Sequence, residues 1–275
     1  IVRRPHNDNL FSLASVFAER GYDRKFVYGG YAYFDNMGPY FGANGYSVVD
    51  RRAIPAASIH HETVWGVSDE DLYTQAIAEM NTSHAAGRPF FLHIMTTSNH
   101  RPFTYPEGRI DIASGTGRDG AVKYADWAIG KFVADARKTP WFKDTLFVFV
   151  ADHQAASAGK TGLPVERYLI PLIVYSPGNV AVATVDRLMS QIDVPPTVLG
   201  LLNFSYRSRF LGWDIFKADP VRDRAFVSTY QELGFVDGGR LVSLKPRARP
   251  RVGAASVPAS AGEDDTDAEL VDEAI

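Results

Sequence analysis

TLFVFVADH, residues Thr145 to His153, joins an unbroken apolar run to a carboxylate and an imidazole. Leu146, Phe147, Val148, Phe149 and Val150 do not alternate with polar residues, which is the pattern of a strand buried on both faces. The run ends at Asp152 and His153, so both stand at the carboxyl end of a core strand, where open α/β sheets bind their ligands. A carboxylate oxygen beside an imidazole nitrogen suits a borderline divalent metal such as zinc or manganese. The competing reading of such a pair is a turn cap at Asp152 and a structurally satisfied histidine at His153.

Outward from this strand, the same grammar recurs. Pro89 to Thr97 (PFFLHIMTT) reads as a second buried strand, followed by the polar cluster Ser98-Asn99-His100-Arg101-Pro102. Lys25 to Tyr28 is a short strand closed by Gly29-Gly30, and Pro171 to Tyr175 is another, closed by Pro177-Gly178. Helices are expected at about Asn9 to Arg20, with Gly21 as the stop, and at Asp69 to Ala85, capped by Ser68 or Asp69. A third covers about Asp119 to Lys138, where Tyr124, Ala128, Phe132 and Ala136 form one stripe, and a fourth begins near Asp193 with proline in its first turn. The aromatic, Gly- and Asn-rich stretch Tyr31 to Tyr46 reads as a loop closing over something polar. Strands alternating with helices imply a largely parallel sheet covered on both faces. Phe226 to Leu244 reads as short antiparallel strands around Asp237-Gly238-Gly239. From Pro246 the sequence loses its aromatics and ends in GEDDTDAELVDEAI, a composition expected to stay disordered, with Gly253 to Ile275 contributing nothing to folding.

A chain of 275 residues buries one large core, or one core and a small appendage. The formal net charge of -3 gives no electrostatic argument for nucleic acid, and zero cysteines exclude disulfides, thiolate metal sites and a cysteine nucleophile. No apolar stretch approaches the roughly 18 to 20 residues that span a bilayer. The start, IVRRPHNDN, reads as the middle of a loop, so a longer protein is expected.

Among the remaining polar residues, His100 is the one best suited to proton transfer near neutral pH, with Asn99 and Arg101 placed to hydrogen-bond an anionic oxygen. His60, His61 and Glu62 look like a ligand cluster but have no second carboxylate-histidine pattern at helical spacing, which favours a structural role. SAGKT (Ser157 to Thr161) suggests a phosphate loop, yet Gln154 stands where the motif needs glycine, and the backbone cradle is incomplete. Lys160 is left as a cation near Asp152 and His153, either a substrate anion contact or a solvated lysine.

FVYGGYAYFDNM, WGVSDEDLY, FFLHIMTTSNHRPF, KYADWAIGKF, PWFKDTLFVFVADH, YLIPLIVYSPG and QIDVPPTVLGLL, in that order, resemble the sulfatase-type catalytic domain of the lipoteichoic acid synthase group of phosphoglycerol transferases, within the alkaline phosphatase superfamily. The resemblance runs from Asn7 to about Leu244. It implies an alkaline phosphatase-like three-layer α/β sandwich with a mostly parallel central sheet, divided as a catalytic core over 1–205, a small C-terminal β subdomain over 206–245 and a disordered tail over 246–275. It also implies that Asp152 and His153 ligate a divalent metal, manganese first and zinc or magnesium next, and that His100 is the catalytic histidine after the SN dipeptide. Asn36, Asn99, Arg101 and Lys160 fall to substrate binding. The nucleophilic threonine and an upstream glutamate are expected before Ile1, and Gly38-Pro39 replaces an arginine that many relatives carry.

On this resemblance the expected activity is phosphodiester transfer from an anionic phospholipid donor to a glycan or polymer hydroxyl, through a phosphothreonine-type intermediate. The expected setting is the extracytoplasmic side of a bacterial cytoplasmic membrane, anchored by an upstream transmembrane region. Nucleic acid is not among the expected partners. The chain alone is expected to lack turnover. Phosphoethanolamine transferase and sulfatase or phosphodiesterase chemistry use the same core, and a catalytically inactive binding module is the reading from another class.

Overall fold

A computed structural model of the chain describes residues 2–154 and 162–255. The chain divides into two compact units, the first Ile1–Asp144 and the second from Thr145 onward. Asp152 and the C-terminal strands therefore share a unit, whereas the sequence placed a boundary near residue 205. The physical reason lies in strand pairing, described below for each unit.

The first unit is built around β1 (Asp23–Tyr28), which lies between β2 (Ser47–Val49) and a strand at Phe90–Met95. Both pairings are parallel, with Phe26 opposite Val48 and Asp23 to Tyr28 opposite Phe90 to Met95 in register. Phe26 and Tyr28 enter one cluster with Ala32 and Met37, while Val27 enters another with Ile54, Val67, Leu72 and Ala76. Alternate residues of β1 thus feed opposite cores, as expected for a strand covered on both faces. The Tyr31 to Tyr46 stretch, expected to be a loop, contains helix α1's successor: α1 spans Leu13–Ala18, and α2 spans Met37–Ala43. α2 forms because it can bury aromatics, with Phe41 stacked on Phe26 at 3.7 Å between ring centres.

Hairpin strands β3 (Glu62–Thr63) and β4 (Gly66–Val67) precede α3 (Asp69–Ala85), and β5 is the strand Phe90–Met95 already paired with β1. α4 (Arg118–Ala136) packs on α3 through the expected stripe: Tyr124, Ala128, Phe132 and Ala136 are buried, and Phe132 stacks on Tyr73 at 4.6 Å. Burying a phenylalanine of this kind stabilises by about 1.5–3 kcal/mol. Because β1 and β5 run parallel and in register, the segments after Tyr28 and Met95 emerge at the same sheet edge.

In the second unit, β6 (Phe147–Val150) pairs antiparallel with β7 (Leu172–Tyr175), Phe147 facing Tyr175 and Val150 facing Leu172. This corrects the expected parallel order at this link. A parallel return needs a crossover, usually a helix, and the described part of the connection holds only a 3-10 turn at Val165–Tyr168. α5 (Val194–Leu201) follows with Pro195 and Pro196 at its start. β8 (Arg224–Ser228), β9 (Leu233–Asp237), β10 (Arg240–Leu244) and β11 (Arg251–Ala254) form an antiparallel meander in the order β11-β10-β9-β8. Disorder expected from residue 246 is therefore corrected through Ala255. β11 pairs Val252 with Val242, Ala255 donates its N–H to Gly239 O at 2.7 Å, and the Ala255 side chain is buried. A neighbouring strand satisfies backbone groups that composition alone left without partners.

Candidate functional site

β6 delivers Asp152 and His153 to the turn after its carboxyl end. Asp152 Oδ1 accepts the His153 backbone N–H at 2.8 Å, which orients the carboxylate, and Oδ2 stands 3.6 Å from His153 Nε2. His153 Nδ1 lies 2.9 Å from Gln154 O, a partner that can only accept, so Nδ1 donates there and Nε2 is the nitrogen on the Asp152 side. Two donors each about 2.0–2.1 Å from one tetrahedral ion stand roughly 3.4 Å apart, so this pair is spaced for two positions of a zinc-type site. Both side chains are exposed, and among the described residues no group of three or more His, Cys, Asp or Glu converges to complete a cage.

Gln191, in the 3-10 turn Gln191–Asp193, donates its side-chain amide to Ala151 O at 2.8 Å and Asp152 O at 2.9 Å. It thereby fixes the backbone under the Asp-His pair. The turn is itself held by buried Asp193, which accepts from Arg224 at 2.7 and 3.1 Å and from the backbone N–H groups of Ser190 and Trp213. Arg224 also lies 3.6 Å over the Trp213 ring. A fully buried ion pair persists only when its remaining hydrogen-bonding positions are filled, as they are here on Asp193.

In the first unit, the loop after β5 carries Asn99, His100 and Arg101, and buried Asp69 at the start of α3 holds it. Asp69 Oδ1 accepts the N–H of Thr97 at 3.1 Å and of Ser98 at 3.0 Å, while Ser98 Oγ accepts the Asp69 N–H. Burial pushes the Asp69 carboxyl up from its ordinary value, opposed by these hydrogen bonds. His100 is exposed, its ring centre 3.7 Å from that of Trp65 and its Nδ1 3.3 Å from Arg101 O. Asn99 and Arg101 are exposed, and Arg101 makes no ion pair among the described residues.

Trp65 forms one wall of a cavity of about 260 Å³ lined also by Tyr28, Tyr31, Tyr33, Phe34 and Val64. Val64 and Trp65 are the turn of the β3–β4 hairpin, brought against the end of β1 by Val67 N–H donating to Gly29 O at 3.0 Å. Glycine is required at this approach: a Cβ on Gly30 would lie 2.2 Å from Trp65 O, and Gly66 adopts φ +144 with its α-carbon against Gly29.

Of the other expected residues, Asn36 donates its amide to Val2 O at 2.6 Å, so the chain's own N-terminal segment engages it. Lys160, like the SAGKT motif, lies outside the described residues. The His60-His61-Glu62 cluster is structural, with His60 on Asp71 at 2.5 Å, His61 on Thr104 at 3.1 Å and Glu62 bidentate to Arg51. Gly38 sits in the first turn of α2 and donates to Ala32 O at 2.6 Å. Gln191 and Trp65 were not singled out from sequence; the only signal for Trp65 was its place in WGVSDEDLY.

Residues 4–204 match the sulfatase family. The chain belongs to it. Curated relatives of this sulfatase-family chain include phosphoglycerol transferase I of Xanthomonas euvesicatoria pv. vesicatoria, 27% identical over 75% of the chain and 31% of that protein. Lipoteichoic acid synthase 2 of Bacillus subtilis is 23% identical over 80% of the chain and 38% of that protein. The chain thus spans about a third of the length of these relatives. Among solved structures, a protein of the alkaline phosphatase superfamily from Vibrio parahaemolyticus is 32% identical, with a TM-score of 0.90 over 99% of the chain and 68% of that structure. The fold is that of the alkaline phosphatase superfamily, mixed α/β with a parallel sheet and a smaller antiparallel set.

Proposed function

We propose that the chain is part of a divalent-metal-dependent phosphoglycerol transferase that moves the head group of an anionic phospholipid to a glycan or polymer hydroxyl on the extracytoplasmic side of a membrane. The observation that carries the metal assignment is the convergence of Asp152 Oδ2 and His153 Nε2 at 3.6 Å, with Nδ1 of the imidazole donating to Gln154 O. The names of the relatives supply the reaction class, and nothing among the described residues is assigned as nucleophile. No helix among the described residues is long and apolar enough to cross a membrane, so membrane attachment belongs to the proposal.

In this reading Asp152 and His153 hold the ion, manganese before zinc or magnesium. When bound, the ion supplies positive charge that stabilises the phosphoryl oxygens and lowers the pKa of a hydroxyl nucleophile. His100 does the proton work. With Nδ1–H directed at Arg101 O, Nε2 is the atom that takes the proton of an entering hydroxyl or returns one to the leaving oxygen. Arg101 and Asn99, both exposed on the same loop, bind and orient an anionic oxygen. Lys160 remains a proposed anion contact.

The test uses the full-length protein with head-group-labelled phosphatidylglycerol and a neutral glucan acceptor. His153→Ala should remove manganese binding, read by calorimetric titration, together with transfer. His100→Ala should lower turnover about 10²- to 10⁴-fold with manganese binding retained, the range of general acid-base contributions. Equal metal loss in both variants would exclude the division of labour, and turnover of sulfate esters in place of the phospholipid would replace the transferase by a sulfatase.

A further inference from the structure

We propose that one end of the C-terminal meander, formed by the β8–β9 and β10–β11 turns, is a docking surface for an anionic lipid bilayer. The surface lies within the second unit and requires no step of the transfer reaction.

Strand register brings the two turns together. Ser228 pairs with Leu233 across the β8–β9 turn, Leu233 pairs with Leu244, and Ser243 pairs with Arg251 across the β10–β11 turn. Residues 229–232 and 245–250 therefore leave the sheet at the same end. There Lys245, Arg247, Arg249 and Arg251 are all exposed. Lys245 is paired with Glu232 at 3.3 Å, and Glu232, the single acidic residue of the two turns, also accepts from Ser243 Oγ. Arg247, Arg249 and Arg251 enter no ion pair among the described residues. The adjoining 3-10 turn, whose Tyr168 hydroxyl donates to Ser228 O at 3.0 Å, adds Glu166 and Arg167, one charge of each sign. The excess at this end is cationic.

The basic turn is also shaped before any partner arrives. Pro246 and Pro250 fix two φ angles, and Ala248 donates its N–H to Lys245 O at 3.2 Å. Arg247 sits at φ +59, a conformation in which glycine is the easier residue.

An apolar element stands beside the cations. Tyr230, in the β8–β9 turn, is fully exposed, and Leu233 at the start of β9 is 43% exposed. A tyrosine, apolar in its ring and polar at its tip, suits a membrane–water interface, and arginines beside it are drawn to anionic head groups. A soluble polyanion would engage the arginines and leave Tyr230 and Leu233 in water. A bilayer engages both, which is why it is the partner assigned.

The test is co-sedimentation of the full chain, without metal, with vesicles of equimolar phosphatidylserine and phosphatidylcholine, of equimolar phosphatidylglycerol and phosphatidylcholine, and of phosphatidylcholine alone. Binding to both anionic mixtures is expected, weakening as salt rises from about 0.1 M to about 0.5 M. Each arginine near such a surface contributes roughly a fivefold factor, so combined Arg247→Gln, Arg249→Gln and Arg251→Gln should lower the partition coefficient about 100-fold. Tyr230→Ala should lower it several-fold with every charge kept. All four side chains are exposed, so the variants should hold the parent melting temperature. Unchanged binding in the triple variant, or equal partition into phosphatidylcholine alone, would overturn the surface. So would binding to phosphatidylglycerol but not to phosphatidylserine, which marks a donor site, or displacement by soluble polyphosphate with Tyr230→Ala unaffected. Binding that appears only when Glu263, Asp264, Asp265 and Asp267 are changed to their amides would give the arginines to the chain's own acidic segment. Vesicle binding by a protein that transfers no phosphoglycerol would keep the surface and remove only the reaction.

Discussion

At the residue scale, Gln191 acts on the Asp152–His153 pair through the backbone alone. Its amide bonds to Ala151 O and Asp152 O fix the backbone from which the carboxylate and the imidazole both hang. Gln191→Ala in the full-length protein should weaken manganese binding about tenfold or more, the scale of outer-shell losses, with little change in melting temperature because the side chain is exposed. Gln191→Glu should do the same, since a carboxylate cannot donate to two carbonyls. Unchanged manganese affinity by titration in both variants would reduce Gln191 to a surface residue. The place of Asp152 and His153 just beyond a strand end was legible in the sequence, because an unbroken apolar run that stops at polar residues marks where the strand ends. Gln191 was not, because its partners are carbonyl oxygens, which every residue has. Asn36 donates its side-chain amide to Val2 O, a pairing set by the path of the N-terminal segment that no motif in the sequence announces.

Elements were read well wherever burial is written as periodicity. α3 begins at Asp69 and ends at Ala85 as expected, and α4 buries the expected stripe. Errors fall where an element depends on a distant partner. α2 has no stripe of its own and forms around the Phe26 ring, while the orientation of β6 and β7 is invisible in two apolar runs that look alike parallel or antiparallel. β11 is the clearest case, since Arg-Val-Gly-Ala is a poor strand in isolation and becomes one against β10. Truncation before Gly253, which would be harmless to a disordered tail, removes the pairing of Gly253 with Leu241 and of Ala254 with Arg240, and the buried Ala255. The loss of a few backbone hydrogen bonds, about 1–2 kcal/mol, should lower the melting temperature by a few degrees in differential scanning calorimetry. No shift would mean that β11 adds nothing to the meander.

For the whole molecule, the apolar runs and the ordered motifs were enough to read the alkaline phosphatase superfamily fold, because polar motifs stand directly after buried runs that form its strands. The division at Asp144 was not legible, since the sequence marks it with no linker, glycine run or shift of composition. Topology also carries a clock. In the first unit, β1 finds β5 only after the helix α3 and both hairpin strands have been spanned, Asp23 pairing with Phe90. In the second, β8 to β10 pair with the strand next in sequence. Loop closure grows costlier with the length closed, and chains dominated by distant pairings form more slowly. During refolding, then, amides of Phe235, Val236 and Val242 should gain protection in pulse-labelled hydrogen exchange before those of Phe26, Val27 and Ile94. Simultaneous protection would mean that the two sheets assemble in one step. If the order holds, the strands flanking the aromatic cavity are the last to leave the reach of proteases and chaperones.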